Sequence, residues 1–360
     1  DDAIDAVLID VELAVRDTAL MTYTATKITS AGDNDISIVA AKRSGADAGT
    51  QLSTTANVGR GLVEAQAAVE GNTTLSDIFF NVMNEEGGMS ATADSDLAKQ
   101  VAPQDDLQVG SAIAAKAMTG SVQSVISDRM ASLRSGDAYV AGMSAGENLS
   151  ANSMFIQAFG SIVEQDDKIV GSGHQAGYDA DTSGVAFGID SITNGGTVLG
   201  LSLSMSNTDL EGKGTGKAKN DIDSYTASLY MDKTGDAGYV EGSVTFGISE
   251  NAASRSVVTA GIDRAYKGEY DNQQISVKIG GGLPYEASNG AYITPFASVT
   301  NTIIESDAYT ETSNTASDPL RLRVDQDDIN SVVGSVGIKA HYDTGNGIPM
   351  FSLAINNEFG

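Results

Sequence analysis

"GYDADTSGVAFGID", residues Gly177 to Asp190, is the stretch on which the fold turns. From Gly184 the residues alternate, with Gly184, Ala186, Gly188 and Asp190 on one face and Val185, Phe187 and Ile189 on the other. A period of two puts successive side chains on opposite faces of a strand. One face is apolar. The other is unusually small, and leaves space for something to occupy it.

The pattern recurs along the chain after Ser150. Leu199, Leu201, Leu203 and Met205 alternate with Gly200, Ser202, Ser204 and Ser206. Val240, Val244, Phe246 and Ile248 stand against Glu241, Ser243, Thr245 and Gly247. Ile275, Val277 and Ile279 oppose Gln274, Ser276, Lys278 and Gly280, and Val332, Val336, Ile338 and Ala340 oppose Ser335, Gly337, Lys339 and His341. About nine such strands follow one another. Short turns ("TNGG", "KTGDAG") alternate with long polar loops ("EGKGTGKAKND", "ETSNTASDPLRLRVDQDD"). Short turns at one end and long loops at the other are the pattern of an outer-membrane barrel. The apolar face would meet lipid, through Phe187, Leu199, Leu201, Leu203, Val244, Phe246 and Val277, while the Gly/Ser/Thr face lines a lumen. A soluble sandwich is the competing reading; it would bury the apolar face against a second sheet.

Composition bounds the function. With 21 basic and 48 acidic residues the net charge is −27, so no basic footprint exists for nucleic acid or for docking on an anionic leaflet. The absence of Cys excludes disulfides and thiolate metal sites. No run approaches the ~20 apolar residues of a membrane helix, which says nothing of barrel strands. The opening "DDAIDAV" carries no initiator Met or signal peptide and reads as a processed or partial chain. There is no Trp, and aromatics make up 6% of the chain. An interfacial girdle would therefore be sparse, drawn from Tyr178, Tyr225, Tyr239, Tyr292 and Tyr342 near strand ends.

Upstream, "DDAIDAVLIDVELAVRDTAL" fits either an acidic amphipathic helix or a pair of strands. "ALMTYTATKITSAGDNDISIVAAKR" holds two β-leaning runs around the turn residues Gly32, Asp33 and Asn34. From about Gly45 the composition becomes Ala-rich, and "GRGLVEAQAAVE" and "LSDIFFNVMNEE" read as helices. A longer helix, about 107–134, carries Val109, Ile113, Val122, Ile126, Met130 and Leu133 at loose helical spacing.

On these residues the chain resembles a known family. "SMFIQAFGSIVEQDDKIVGSGHQAGYDADTSGVAFGID" followed by "GGTVLGLSLSMSNTDLEGKGTG" is similar to the first three strands of an autotransporter (type V secretion) translocator domain, most specifically in Gly-Tyr-Asp-x-Asp-Thr-x-Gly. "LAKQVAPQ" and "VISDRMASLRSGD" resemble the helical linker before such barrels, "NNEFG" the end of their ninth strand, and "ALMTYTATKI…NDISIVAAKR" the last rungs of a passenger β-helix.

The resemblance implies a mainly β protein: an antiparallel up-and-down transmembrane β-barrel, with about nine of an expected twelve strands present, and an N-terminal α-helical linker threaded through its lumen. Residues 1–44 would be the end of a passenger, 45–150 the helical linker, and 151–360 the translocator barrel, incomplete at its C-terminus. The implied activity is non-enzymatic: secretion or display of an N-terminal passenger at the surface of a Gram-negative cell, from the outer membrane. Outer-membrane lipid, the chain's own passenger, the barrel-assembly machinery and periplasmic chaperones are the implied partners, with no nucleic acid and no cofactor. On the lumen helix Ile113, Met118, Ile126 and Met130 would face the wall, and Arg129 and Arg134 would pair with inward carboxylates such as Asp190 or Glu241. One branch of the family cuts the linker between two adjacent Asn residues shortly before an Arg-Met pair. Matching on Arg129-Met130 puts Ser124-Val125 there, so that cleavage chemistry is not expected. The alternative is an extracellular structural or adhesive protein that assembles into a fibre or layer.

Other motifs carry little. His174 and His341 lack Cys partners or an HExxH spacing. No GxSxG elbow supports a Ser–His–Asp triad. "GKGTGK" at Gly212–Lys217 lacks the spacing of a phosphate loop and reads as a hairpin loop, while "EQDD" and "DQDD" read as solvated loop charge.

Overall fold

The computed structural model describes residues 15, 17–30, 33–52, 54–69, 71, 75–76, 100–101, 105–134, 152–170, 173–259, 262–287, 291–342 and 350–359. The first twenty residues and the segment "LSDIFFNVMNEE" fall mostly outside this set, so their expected elements are not described here.

Strands β1 (Met21–Ser30) and β2 (Asp33–Lys42) form an antiparallel hairpin, Met21 opposite Lys42 and Ser30 opposite Asp33. Helix α1 (Gly45–Gln51) is capped by the Ser44 hydroxyl accepting from Asp47 N, and α2 (Ala56–Ala68) by the Thr55 hydroxyl accepting from Val58 N. Helix α3 (Asp105–Arg134) runs for 30 residues, about 45 Å at ~1.5 Å per residue.

Strands β3 (Asn152–Gln165), β4 (Lys168–Val170), β5 (Gly173–Gln175), β6 (Tyr178–Ile192), β7 (Thr197–Gly212), β8 (Lys219–Thr234), β9 (Tyr239–Thr259), β10 (Ile262–Gly282), β11 (Tyr285–Glu286) and β12 (Ala291–Ser306) follow. Beyond them come β13 (Tyr309–Thr310), β14 (Thr312–Ser313), β15 (Arg323–Val324), β16 (Ile329–Tyr342) and β17 (Met350–Glu358). The long strands make one antiparallel meander, β17-β16-β12-β10-β9-β8-β7-β6-β3. Each strand pairs with its neighbour in sequence, which is up-and-down topology. The hairpin loops at 193–196 and 235–238 lie at one end of the sheet. The longer connections 166–177, 213–218 and 307–328 lie at the other.

Register aligns the outward side chains into rows. Ile189, Leu201, Leu229, Val244 and Val277 share one, and Phe187, Leu203, Ala227, Phe246, Ile275 and Ile303 the next. Leu199, Leu203, Phe246, Ile248, Ile279 and Val299 are exposed, as are many others of this face. On β7 the apolar positions from Leu199 to Met205 climb for about 20 Å at ~3.3 Å per residue, comparable with the height of a membrane barrel's apolar band. Toward the long-loop end they stop abruptly at the row Asn207, Asp223, Glu250 and Asp271. That carboxylate-rich row marks the upper edge of the apolar outer band. The longest strands, β9 and β10 at 21 residues each, rise beyond it.

The inner face answers the question raised by its small residues. Cross-strand hydroxyls pair directly: Thr182 with Thr208 at 2.8 Å, Ser204 with Thr226 at 2.6 Å, Ser228 with Thr245 at 2.9 Å and Ser276 with Thr302 at 2.7 Å. At some inner glycines a ring from the next strand lies across the position. A Cβ on Gly188 would sit 2.2 Å from Phe155, and one on Gly184 2.5 Å from Phe159. Part of the space left by small residues is thus taken by aromatic rings, and the rest by α3.

The expected tyrosine girdle is only partly there. Tyr178 and Tyr239 are buried on the inner side, and Tyr292 stacks on His341 at 4.9 Å. Tyr225 and Tyr342 alone of the five are exposed. Near a strand end the alternation that assigns a face is interrupted by the turn, so sequence position alone did not separate the two sides.

Candidate functional site: the lumen and its helix

Helix α3 bonds inward side chains from one side of the sheet to the other. Thr119 donates to Gln274 at 2.9 Å, and Gln123 donates to Ser276 at 2.7 Å. Lys278 of β10 donates to Ser127 at 2.6 Å, and Lys116 pairs with Glu358 on β17. At its first turns, Ser111 accepts from Asn220 of β8 at 2.9 Å. One helix can meet β3, β8, β10 and β17 only if the sheet curls around it. The first turn of α3 lies at the long-loop end, beside Leu210, Ala218 and Ile222, and its last turn at the short-turn end.

The charged contacts cluster in the last two turns. Arg129 donates from Nε to Asp190 Oδ2 at 2.8 Å and from Nη2 to Asp190 Oδ1 at 3.1 Å and Ser153 Oγ at 2.7 Å. Asp190 also accepts from Tyr230 Oη at 3.1 Å and from the Ser153 hydroxyl. The two charged side chains are 5% and 0% exposed. Arg134 donates to Asp232 and, at 3.1 Å, to Glu241 Oε2, with its guanidinium 3.6 Å over the Tyr239 ring. Charges this far from water are tolerable only when paired and hydrogen-bonded, and both arginines meet carboxylates through two nitrogens each.

The apolar residues named from the sequence divide. Met118, Ile126 and Met130 belong to one buried cluster with Val122, Phe155, Ala186, Val198 and Tyr230. Ile113 is half-buried and joins none of the three apolar clusters. On the outer face Phe187, Leu199, Leu201, Leu203, Phe246 and Val277 are exposed, while Val244 on the same face is half-buried. Asp232 was not singled out in the sequence. It continues the inward set of β8, Ser224, Thr226, Ser228 and Tyr230, and that parity was the available signal.

The largest departure lies at the long-loop end. "ETSNTASDPLRLRVDQDD" reads as a solvated loop, yet Glu311, Asp318, Leu320 and Val324 are buried. The connection 307–328 folds inward as a strap. Its Tyr309 stacks on Tyr270 at 4.7 Å, and burial pushes the Tyr309 phenol up, so it stays protonated. Leu320 joins a cluster with Leu20, Leu52, Leu62, Val101, Val257 and Tyr266, which seats α1 and α2 on the mouth.

Among the described residues no group of three or more His, Asp or Glu is placed to hold a metal ion. His341 stacks on Tyr292, and the His174 side chain lies outside the described set. Among the described residues no helix is long and apolar enough to cross a membrane, a fact that does not bear on strands.

A curled up-and-down sheet with an apolar outer band, a small polar inner face and an ion-paired helix against it defines an outer-membrane β-barrel of the translocator class. The autotransporter beta-domain family model matches residues 154–360, and the chain belongs to that family. It is an outer-membrane translocator domain of the autotransporter type. Outer membrane protein B of Rickettsia japonica is 27% identical over 150 residues, covering 40% of this chain and 9% of that protein. The protein of the same name from Rickettsia prowazekii is 25% identical over 234 residues, 60% of this chain and 14% of that one. The chain thus spans a small fraction of the curated relatives it matches. The translocator domain of the autotransporter NalP from Neisseria meningitidis shares the fold, with a TM-score of 0.53 at 16% identity over 70% of this chain and 78% of that one. Translocator domains of this family are typically non-enzymatic.

Proposed function

We propose that this chain exports or displays an N-terminal passenger without enzymatic activity of its own, and that α3 plugs the lumen once export is complete. Residues 1–44 are then the end of the passenger, 45–150 the linker, and 151–360 the barrel. Arg129 and Arg134 anchor the plug through Asp190, Asp232 and Glu241, and Met118, Ile126 and Met130 seat it. Ile113 sits on the same helix with a lesser share. The leucine, phenylalanine and valine rows of the outer wall, including Phe187, Leu201, Leu203 and Val277, meet lipid. Folding into the membrane calls for periplasmic chaperones and the barrel-assembly machinery, which recognise strands with this alternation.

One observation carries the reading: α3 has its first turn at the long-loop end and its ion-paired last turn at the short-turn end. The chain that precedes it therefore emerges where the long loops are, on the outer side of the membrane. The fibre or layer alternative has no comparable support, since its apolar outer rows would need a protein partner over their whole height.

Planar-bilayer conductance of the full-length protein tests the plug. The expected result is a small conductance in the native protein and a several-fold larger one in the double variant Arg129→Glu, Arg134→Glu, because reversed charges face the inward carboxylates. A large, open conductance in the native protein would contradict it.

A further inference from the structure

Five of the eight described arginines meet a carboxylate: Arg43 with Asp17, Arg129 with Asp190, Arg134 with Asp232 and Glu241, Arg255 with Glu311, and Arg264 with Asp318. The other three, Arg60, Arg321 and Arg323, line one cleft of about 470 Å³ between α2 and the strap. In a chain with 48 acidic residues a guanidinium without a carboxylate is the exception, and here the exceptions are gathered. Among the described residues the side chains of Arg60 and Arg323 bond nothing. Arg321 reaches only the Asp318 carbonyl, from Nε at 3.1 Å. Glu64 and Asp325 line the same cleft, and among the described residues their carboxylates bond nothing either. All five side chains are exposed. The cleft stands above the acidic row that bounds the apolar outer band. Leu320, part of its lining, accepts at its carbonyl from Arg255 Nη2 at 2.9 Å. Arg255 lies about 16 Å along β9 beyond Glu250 of that row, at ~3.3 Å per residue.

We propose that this cleft binds a soluble phosphorylated sugar. Its volume falls within the about 300–1,000 Å³ of small-molecule sites. A guanidinium is a planar fork of donors that matches phosphate oxygens in pairs, and three of them converge here. A free carboxylate is an acceptor only, and a sugar supplies the hydroxyl donors that Glu64 and Asp325 lack. A sugar phosphate thus satisfies both signs of charge in one ligand. An acidic peptide would not, because its carboxylates would stand against Glu64 and Asp325. The headgroup phosphate of a membrane lipid would not either, since it stays near the edge of the apolar band, below the cleft. Binding is independent of the translocator reading. Only the exposure of the cleft to the cell exterior rests on that reading.

Calorimetric titration of the purified full-length protein with glucose 1-phosphate tests this. The native protein is expected to give a saturable heat. Arg60→Ala and Arg323→Ala are each expected to weaken binding roughly tenfold, the effect of about one lost charge-assisted hydrogen bond. These side chains are exposed and unbonded, so thermal unfolding should stay where it is in the native protein. Ala68→Phe fills the cleft from the end of α2 without touching a charge, and is expected to abolish binding. The double variant Glu64→Ala, Asp325→Ala should bind glucose 1-phosphate less tightly and inorganic phosphate more tightly, because it loses hydroxyl acceptors and two negative charges together. No saturable heat with the native protein would overturn the proposal, as would arginine variants that bind as the native protein does. A hexaglutamate peptide that binds more tightly than glucose 1-phosphate would overturn it in favour of a peptide site. In nanodiscs containing a phosphorylated glycolipid the titration should persist; its loss there would assign the cleft to a lipid headgroup and overturn the soluble source. Labelling of α2 from outside intact cells, read in parallel, reports on the translocator reading separately from the cleft.

Discussion

Arg129 on α3 and Asp190 on β6 meet through two parallel hydrogen bonds, 2.8 and 3.1 Å long, with both side chains shut away from solvent. The helix is thereby fixed to the wall by a partner 61 residues away in sequence. Asp190 closes the same short stretch whose small inner face admits the helix. Removing one partner of such a pair leaves a buried charge uncompensated, while removing both leaves none.

Arg129→Ala is therefore expected to destabilise the folded barrel by about 3–5 kcal/mol. The double variant Arg129→Met, Asp190→Leu should recover most of that loss. Thermal unfolding in detergent, followed by the shift between folded and unfolded bands on a gel, reads both. Equal loss in the single and double variants would sink the argument.

Arg134 is served by two carboxylates, and this builds in redundancy. Asp232→Asn or Glu241→Gln alone should each cost less than Arg134→Ala, since the remaining carboxylate keeps the guanidinium paired. Removing both should approach the full effect, of about 3–5 kcal/mol for a broken buried pair. A double-mutant cycle by chemical denaturation measures the coupling. Strict additivity of the two singles would contradict a shared partner.

Gly188 has a ring where its side chain would be. Gly188→Val should cost about 1–3 kcal/mol by overpacking against Phe155. Adding Phe155→Ala should relieve part of it, a suppression readable from the same thermal shift. Without suppression, the ring is not what excludes a side chain at this position.

The outer wall should respond to charge by height. Leu203→Arg, in the middle of the apolar rows, is expected to cost about 2–4 kcal/mol in a bilayer, and Asn207→Arg at the acidic edge about 0–1 kcal/mol. Reversible unfolding in lipid vesicles gives both values. Equal costs would remove the case for a lipid boundary at the row of Asn207, Asp223, Glu250 and Asp271.

Much of this architecture is legible in the sequence because period-two alternation is a local signal. The run from Leu199 to Ser206 assigns its faces without knowledge of any neighbour. Arg129 and Arg134 were readable as inward charges for a related reason: a small-residue helix in a small-residue lumen leaves a guanidinium no solvent, only carboxylates on the wall. Asp232 kept the parity of β8 and escaped notice only because a carboxylate next to a turn looks like solvated charge; Tyr178, Tyr239 and Tyr292 lie near strand ends, where the turn interrupts the alternation. The strap was hidden for a different reason. Glu311, Asp318 and Arg255 look like loop and surface charges one at a time, and are buried because Arg255 meets Glu311 across 56 residues of chain and Asp318 accepts from Tyr266 across 52. Polarity in a loop predicts exposure only when no such partner exists.

The most direct test of the account is the side of the membrane on which each end of the lumen helix lies. The chain has no cysteine, so single substitutions give clean probes. Arg60→Cys in α2, Thr215→Cys in the β7–β8 loop and Asp236→Cys in the β8–β9 turn would each be treated on intact cells with a membrane-impermeant maleimide. The account predicts labelling at positions 60 and 215 without permeabilisation, and at 236 only after the outer membrane is opened. Labelling of all three on intact cells, or of position 236 before position 60, would contradict a barrel that spans the membrane with its linker emerging outside.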